Sequence, residues 1–501
     1  MRITLVVPPE AGSVDEERVE YLGLGYIAAC ARQAGHHVDI LDCKSQSLNH
    51  GEAVALLQTL NPRVIGITAP FTFDLTSAVN LSLQLRAADF KGVIVLGGHP
   101  ATFTFQNLLR LYPCIDVVVR GEGEITFLAL LEQLDNKAAW NQVAGIAYHD
   151  NGKIIVTEPR PLIPNLSSLP FPARDNLDSR NSPASAVWFQ KHGIQPGTVI
   201  LSSRGCPFRC SYCSVQAFYR TSSGRPWRPR SAKDVLDEMT LLAERWGFRS
   251  FRFSDDSFFG SCNEGRVRAR EIAAGLLERN LGVKFVIECR TTDVEFSLFS
   301  LLKSAGLIRV NVGVESGVPR MLKSFNKRAS VEQNKNGITV LRQLGLECHP
   351  NFILVDPETT LEELRENVSF LKETRLYLAP QAMHILYSNK LGLFAGTPSK
   401  EHYEAAGRTK DWKPPSLAEE DRAISASIGA VLDYEDQDPR VREFRRLVDR
   451  VIPELTRQDE ILARLARQLA LHPEDVSRPE PGPAPSPGNG KSLLPSIERW
   501  R

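Results

Sequence analysis

Short apolar runs alternate along this chain with segments whose apolar residues recur at three- and four-residue steps. In the first third, runs at 3–7, 38–41, 64–68, 93–96 and 117–119 read as strands, and segments at 22–34, 53–60, 76–88, 103–111 and 124–134 read as helices. The strands are apolar throughout rather than on alternate positions, so each is buried on both faces. That is the pattern of a parallel sheet with helices on either side. Residues 1–135 are therefore predicted to form a doubly wound sheet, with any ligand at the carboxyl ends of its strands.

A hairpin is expected over 145–157, around Asn151 and Gly152. The proline-punctuated stretch 159–174 then reads as an extended connector, so 136–185 forms a linker. The rhythm resumes near 186. Six strands are predicted at 198–202, 250–254, 284–288, 308–313, 350–355 and 382–387, with helices at 231–246, 262–280, 294–305, 331–345 and 359–374. Six such units make a partial barrel over 186–390, whose chemistry belongs at the carboxyl ends of its strands. From 391 to 472 the pattern is helical, with Val441, Phe444, Leu447, Val448, Val451 and Leu455 on one stripe. The tail 473–501 is rich in Pro, Gly and Ser and is expected to be disordered. The fold class is thus α/β, in two sheet-bearing parts.

Composition narrows the function. The 501 residues are 42% hydrophobic and 24% charged, and no apolar run is long enough to span a membrane. Sixty basic residues against fifty-nine acidic ones leave no electrostatic footprint for nucleic acid or anionic lipid. Six of nine cysteines (Cys30, Cys43, Cys114, Cys262, Cys289, Cys348) are scattered singly, which implies no disulfide framework. A cytoplasmic location is expected, with neither nucleic acid nor membrane as partner.

The other three stand together. Cys206, Cys210 and Cys213 follow the first barrel strand in the run Arg204-Gly-Cys-Pro-Phe-Arg-Cys-Ser-Tyr-Cys213, and thiolate is the ligand that iron–sulfur clusters use. Three ligands for four irons leave one iron open to a small molecule. Zinc sites commonly pair two C-x2-4-C halves or add close histidines, and no second half is visible here. The spacing C-x3-C-x2-C, with Tyr212 before the last cysteine, resembles the radical S-adenosylmethionine (SAM) superfamily.

Two glycine-rich strand ends extend the resemblance. Val93–Leu96 runs into Gly97-Gly98-His99-Pro100, and the next strand runs into Gly121-Glu122-Gly123-Glu124. Together with the cysteine motif they resemble the cobalamin-dependent (class B) radical SAM enzymes over residues 1–390. The resemblance implies three cofactors: a 4Fe-4S cluster on Cys206, Cys210 and Cys213, SAM, and cobalamin. It places Asp255 or Asp256 at the methionine amino group, Arg290 at its carboxylate or a nearby one, and Glu315 and Ser316 beside the ribose and methionine, with Tyr212 close by. Gly97, Gly98, Gly121, Glu122 and Gly123 would border the corrin and its tail. The D-x-H-x-x-G signature of other cobalamin proteins is absent, so residues from Thr68 to Thr72, Phe71 foremost, would cover the lower face. His99 is read as a hydrogen-bonded histidine rather than a ligand. The fifth strand end, Phe352 to Thr359, lacks the glycine usual before its proline.

The implied function is methylation of an unactivated carbon of a small metabolite, by a 5′-deoxyadenosyl radical and methylcobalamin. An electron donor such as flavodoxin or ferredoxin would be a partner. Ring contraction or oxidative cyclisation without methyl transfer is the alternative, and a non-catalytic cobalamin or redox sensor is a third reading.

Overall fold

Apolar strands and amphipathic helices assemble into two parallel sheets and a smaller antiparallel one. The computed structural model describes residues 1–10, 20–175, 197–376, 390–412, 417 and 419–448. In the first sheet β1 (Arg2–Val7), β2 (His37–Asp42), β3 (Val64–Thr68), β4 (Val93–Gly97) and β5 (Val117–Val119) run parallel in the order β2-β1-β3-β4-β5. The order reverses between β1 and β3, and this reversal opens a crevice at the carboxyl edge.

Successive side chains on these strands enter different cores. Ile3, Leu5 and Val7 pack with α1 (Leu22–Gln33), while Val6 packs with α2 (His50–Leu60), α3 (Thr72–Ala87) and α4 (His99–Leu111). Helix α5 (Gly123–Glu132) lies on the α1 side through Phe127, Leu130 and Leu131. This is the doubly covered sheet expected of strands apolar on both faces.

The hairpin expected in the linker belongs to this sheet. Strands β6 (Ile146–Asp150) and β7 (Lys153–Val156) extend it antiparallel beyond β5. Their turn residues Asn151 (φ 46°) and Gly152 (φ 76°) are both left-handed, as a two-residue hairpin loop requires. The connector then runs across α1. Ala173 N–H donates to the Gly25 carbonyl at 3.0 Å, and a Cβ on Gly25 would stand 2.7 Å from the Ala173 oxygen, so only glycine admits the crossing.

The second sheet begins with β8 (Gly197–Ile200). A short antiparallel pair follows, β9 (Ser203–Arg204) with β10 (Arg228–Pro229), then β11 (Ser250–Phe253), β12 (Lys284–Arg290), β13 (Leu307–Glu315) and β14 (Glu347–Phe352). The five long strands are parallel in the order β14-β13-β12-β11-β8. Phe251, Phe253, Phe285, Ile287, Val310 and Val312 face the covering helices. The alternate positions form a polar wall, on which Glu288, Asn311 and His349 lie in register, as do Arg290, Gly313 and Asn351. The strand expected at 382–387 lies outside the described residues; beside that segment, Val355 makes a parallel bridge to Lys390.

The C-terminal segment is helical in part, over Pro398–Ala405 and Glu419–Ile428, and departs from its expectation in carrying strands as well. It carries an antiparallel sheet of β15 (Leu393–Phe394), β17 (Val431–Tyr434) and β16 (Thr409–Asp411), in that spatial order. These strands are too short for a readable period, and the apolar stripe that suggested helix begins only at Val441, which is fully buried in the core of the second sheet. The stripe from 449 onward and the tail lie outside the described residues. The segment touches both parent sheets: Asn107 donates to the Ile428 carbonyl at 3.0 Å, and Tyr434 Oη donates to that of Val355 at 3.2 Å. Among the described residues no helix is long and apolar enough to cross a membrane.

Candidate functional site

The three cysteines sit on the loop that leaves β9 and ends at α6 (Ser214–Arg220). None is in a disulfide. The loop is tied from outside by backbone and polar bonds: Ser211 N–H to the Phe325 carbonyl (2.9 Å), Asn326 to the Arg209 carbonyl (2.7 Å), and Ser399 N–H to the Ser211 carbonyl (2.9 Å). Burial pushes the Cys206 thiol up to about 11 and the Cys213 thiol up to about 12, so neither ionises readily without a cation. Among the described residues no three His, Cys, Asp or Glu side chains close on a single metal ion. A cluster does not demand that geometry, since each thiolate binds a different iron. The donor set, three soft thiols on one loop with Cys210 buried and Cys206 and Cys213 half-buried, suits iron–sulfur chemistry.

Three strand ends, those of β11, β12 and β13, lie around this loop. Asp255, at the end of β11, spends both oxygens beneath it, accepting from Ser202 N–H (2.6 Å), Ser203 Oγ (2.9 Å) and Ser202 Oγ. Among the described residues Asp256 accepts only from Gly205 N–H, at 2.9 Å. The sequence left these two open, and the geometry separates them: Asp255 holds the loop, and Asp256 has a free oxygen. Burial, then the nearby Asp255 charge, raises Asp256 to about 6. Glu288 on β12, accepting from Asn351 at 3.2 Å, is raised to about 7 by burial and by Asp256. Both keep accessible surface although protein surrounds them, which marks the wall of a deep recess.

At the end of β13, Glu315 has φ 65°, a left-handed conformation uncommon for a side-chain-bearing residue, and pairs with Lys327 Nζ at 2.7 Å. Tyr212 donates to Glu315, and burial with that carboxylate holds its phenol well above the ordinary value. Ser316 is committed elsewhere: its Oγ donates to Asn367 Oδ1 at 2.8 Å and accepts Val318 N–H at 3.0 Å. Arg290, expected beside the methionine carboxylate or a carboxylate nearby, reaches the cysteine loop. Its Nη1 donates to Cys210 Sγ at 3.9 Å and its guanidinium stands 3.7 Å above the Phe208 ring.

The carboxyl edge of the first sheet faces the same loop. Thr68 ends β3, and Phe71 caps α3 with its ring 52% exposed, available to a flat ligand. Gly97 has room for a Cβ, whose nearest neighbour would be the Val119 Cβ at 3.8 Å. Gly98 does not: at φ 118° its Cβ would lie 2.1 Å from the Ala69 oxygen, so the backbone by itself already demands this glycine. Gly121 (φ 79°) turns the chain, and a Cβ on Gly123 would stand 2.8 Å from Ile27. Glu122 has protein partners that the sequence did not show. It is a buried ion-pair partner, 3.0 Å from Arg204 and 2.8 Å from Arg228, and accepts Ile163 N–H at 2.8 Å. Glu124 joins Arg204 at 2.5 Å. His99 stacks on Phe218 with 3.8 Å between ring centres, and burial lowers it to about 4, so it is neutral. Stacking holds this ring; it has no hydrogen-bond partner among the described residues.

Sequence reasoning passed over Arg204, Arg228, Glu288 and Lys327. A signal existed for three of them, since Arg204, Arg228 and Glu288 are charges in segments that fold as strands of the interior. Lys327 carries none, its partner Glu315 lying 12 residues away.

This architecture matches known proteins. The radical SAM superfamily matches residues 200–371 and the B12 binding domain residues 13–131. An uncharacterized methyltransferase of Pyrococcus horikoshii, PH0819, is 30% identical over 380 residues, which cover 74% of this chain and 78% of that protein. The anaerobic magnesium-protoporphyrin IX monomethyl ester cyclase of Rubrivivax gelatinosus is 30% identical over 75% of this chain and 65% of its own length. Cytidylyl-2-hydroxyethylphosphonate methyltransferase of Streptomyces wedmorensis is 28% identical over 70% and 73%. Among solved structures, the cobalamin-dependent SAM radical enzyme OxsB superposes with a TM-score of 0.70 at 19% identity, over 89% of this chain and 65% of that one. The chain therefore belongs to the cobalamin-dependent radical SAM enzymes. Membership brings a 4Fe-4S cluster, SAM and cobalamin as its cofactors.

Proposed function

We propose that this enzyme methylates an unactivated carbon of a small metabolite. The observation that carries the proposal is the apposition of two cofactor-bearing edges: the cysteine loop of the second sheet and the β3–β5 edge of the first meet through the Arg204–Glu122 and Arg204–Glu124 pairs and the His99–Phe218 stack. When bound, SAM and the cluster supply a hydrogen-abstracting adenosyl radical and cobalamin supplies a methyl group. Cys206, Cys210 and Cys213 would hold the cluster, and Asp256, with its free oxygen, would accept hydrogen bonds from the methionine ammonium. Thr68, Phe71 and Gly97 would seat the corrin. The contacts between the edges would bring the two cofactors together so that a substrate carbon could be oriented between them. The methyltransferase names of two relatives support the reading.

A cyclisation without methyl transfer is the second reading, favoured by the cyclase relative. The test is to incubate reduced, cobalamin-loaded enzyme with SAM and a metabolite extract. Methylation predicts 5′-deoxyadenosine and S-adenosylhomocysteine in equal amounts and a product heavier by one methylene. Substrate-dependent 5′-deoxyadenosine without matching S-adenosylhomocysteine would reject methylation in favour of cyclisation. If neither forms, both readings fail. The electron donor is proposed to be a flavodoxin or ferredoxin.

A further inference from the structure

We propose that Arg290 sets the reduction potential of the cluster rather than binding the carboxylate of SAM. The proposal rests on the cluster assignment to Cys206, Cys210 and Cys213. Three contacts fix the side chain, and a fourth its backbone; the residue is 6% exposed. Its Nη1 points at Cys210 Sγ (3.9 Å), its Nη2 donates to the Lys327 carbonyl, its guanidinium lies over Phe208 (3.7 Å), and its backbone N–H is held by Asp293 Oδ2 (3.1 Å). Phe208 stands between Cys206 and Cys210 in the loop itself, so the cation is fastened to the ligand segment.

The charge is permanent, because a guanidinium does not lose its proton in a protein. No carboxylate lies within ion-pair distance of it among the described residues; Asp293 takes the backbone N–H, and the adjacent Lys327 ammonium is already neutralised by Glu315 at 2.7 Å. The Nε atom is buried without a partner. A buried, unpaired guanidinium is unfavourable unless negative charge is placed beside it. Three thiolates on a cluster provide that charge, and the cluster gains one further negative charge when it takes up an electron. A fixed cation beside one ligand sulfur stabilises the reduced form more than the oxidised form and makes the potential less negative, since hydrogen bonds and charge at the sulfurs are levers on cluster potential.

The experiment is an anaerobic redox titration of reconstituted full-length protein without SAM, with titanium(III) citrate as the one-electron reductant and the reduced cluster followed by electron paramagnetic resonance. Wild type, R290Q, R290K and F208L are compared, with iron measured in each. R290Q is expected to hold as much iron as wild type, with a more negative midpoint. R290K, which keeps the charge, should lie nearer wild type, and F208L, which loosens the cation, should shift in the same direction as R290Q by less. A wild-type midpoint in R290Q, or equal shifts in R290Q and R290K, overturns the proposal, because charge would then not be the cause. If R290Q binds no iron, F208L decides: an unshifted midpoint overturns it. Wild-type protein that binds no iron would instead overturn the cluster assignment.

Discussion

Gly97 and Gly98 are adjacent and chemically identical, yet the structure asks different things of them. A Cβ at Gly98 would press on the Ala69 carbonyl at 2.1 Å from a left-handed backbone. Gly98→Ala is therefore expected to cost at least 1–3 kcal/mol, roughly the strain of a forced backbone conformation, and to lower the unfolding temperature by several degrees. Gly97→Val, with open space around its Cβ, should leave thermal unfolding close to wild type and reduce the cobalamin taken up on reconstitution. Cobalamin content equal to wild type in Gly97→Val would remove this strand end from the proposed corrin seat. The cysteines were legible in the sequence because their chemistry is written in local spacing. The choice between Asp255 and Asp256 was not, because it turns on Ser202 and Ser203, more than fifty residues away. Arg290 was legible as a functional strand-end charge, and its target was hidden for the same reason, Cys210 lying 80 residues earlier.

At the level of elements, strands buried on both faces were read almost to the residue, whereas β14 begins three residues before its expected start. Its first part, Glu347-Cys-His-Pro-Asn351, places polar residues on the recess wall and so carries no apolar run. The G-E-G-E loop was legible as a feature, but the ion pairs of Glu122 were not, because sequence does not show that Arg204 and Arg228 arrive opposite it. That contact should be sensitive to acid. Burial works to raise the Glu122 carboxyl, but Arg204 and Arg228 outweigh it and hold the group below its ordinary value. A carboxylate depressed in the folded state contributes stability that is complete above its unfolded pKa and lost as pH falls through the folded one. The Glu122 contribution should thus be intact above about pH 5 and decline below it. Glu122→Gln should destabilise wild type by about 3–5 kcal/mol at neutral pH, the cost of leaving buried cations unpaired. Denaturant unfolding at pH 7 and pH 4 checks both: the gap between wild type and variant should narrow at the lower pH. A gap of equal size at the two values would mean that the pair does not carry the contact.

At the level of the whole molecule, the two halves have separate main apolar cores and meet across a seam that is partly polar and partly apolar. Leu5, Ile65 and Ile94 belong to the first sheet's cores and Phe251, Phe285 and Val310 to that of the second, while the contact between them combines the Arg204, Arg228, Glu122 and Glu124 pairs with the His99–Phe218 stack and the packing of Leu22 and Tyr26 on Val199. The cysteine loop is likewise held by groups other than its thiols, through Ser211, Asn326 and Ser399. Removing the thiols should therefore empty the cluster site without unfolding the loop or the first sheet. A Cys206→Ala, Cys210→Ala, Cys213→Ala protein is expected to lose its iron and the broad visible absorbance of the cluster. It should take up cobalamin to within a factor of about two of wild type, since the structure around that site is unchanged by substitutions confined to a separate site. Iron and cobalamin measured on the same anaerobic preparation decide the point. If cobalamin disappears with the iron, the corrin is held from the cluster side, and the edge formed by Thr68, Phe71 and Gly97 is not its principal seat.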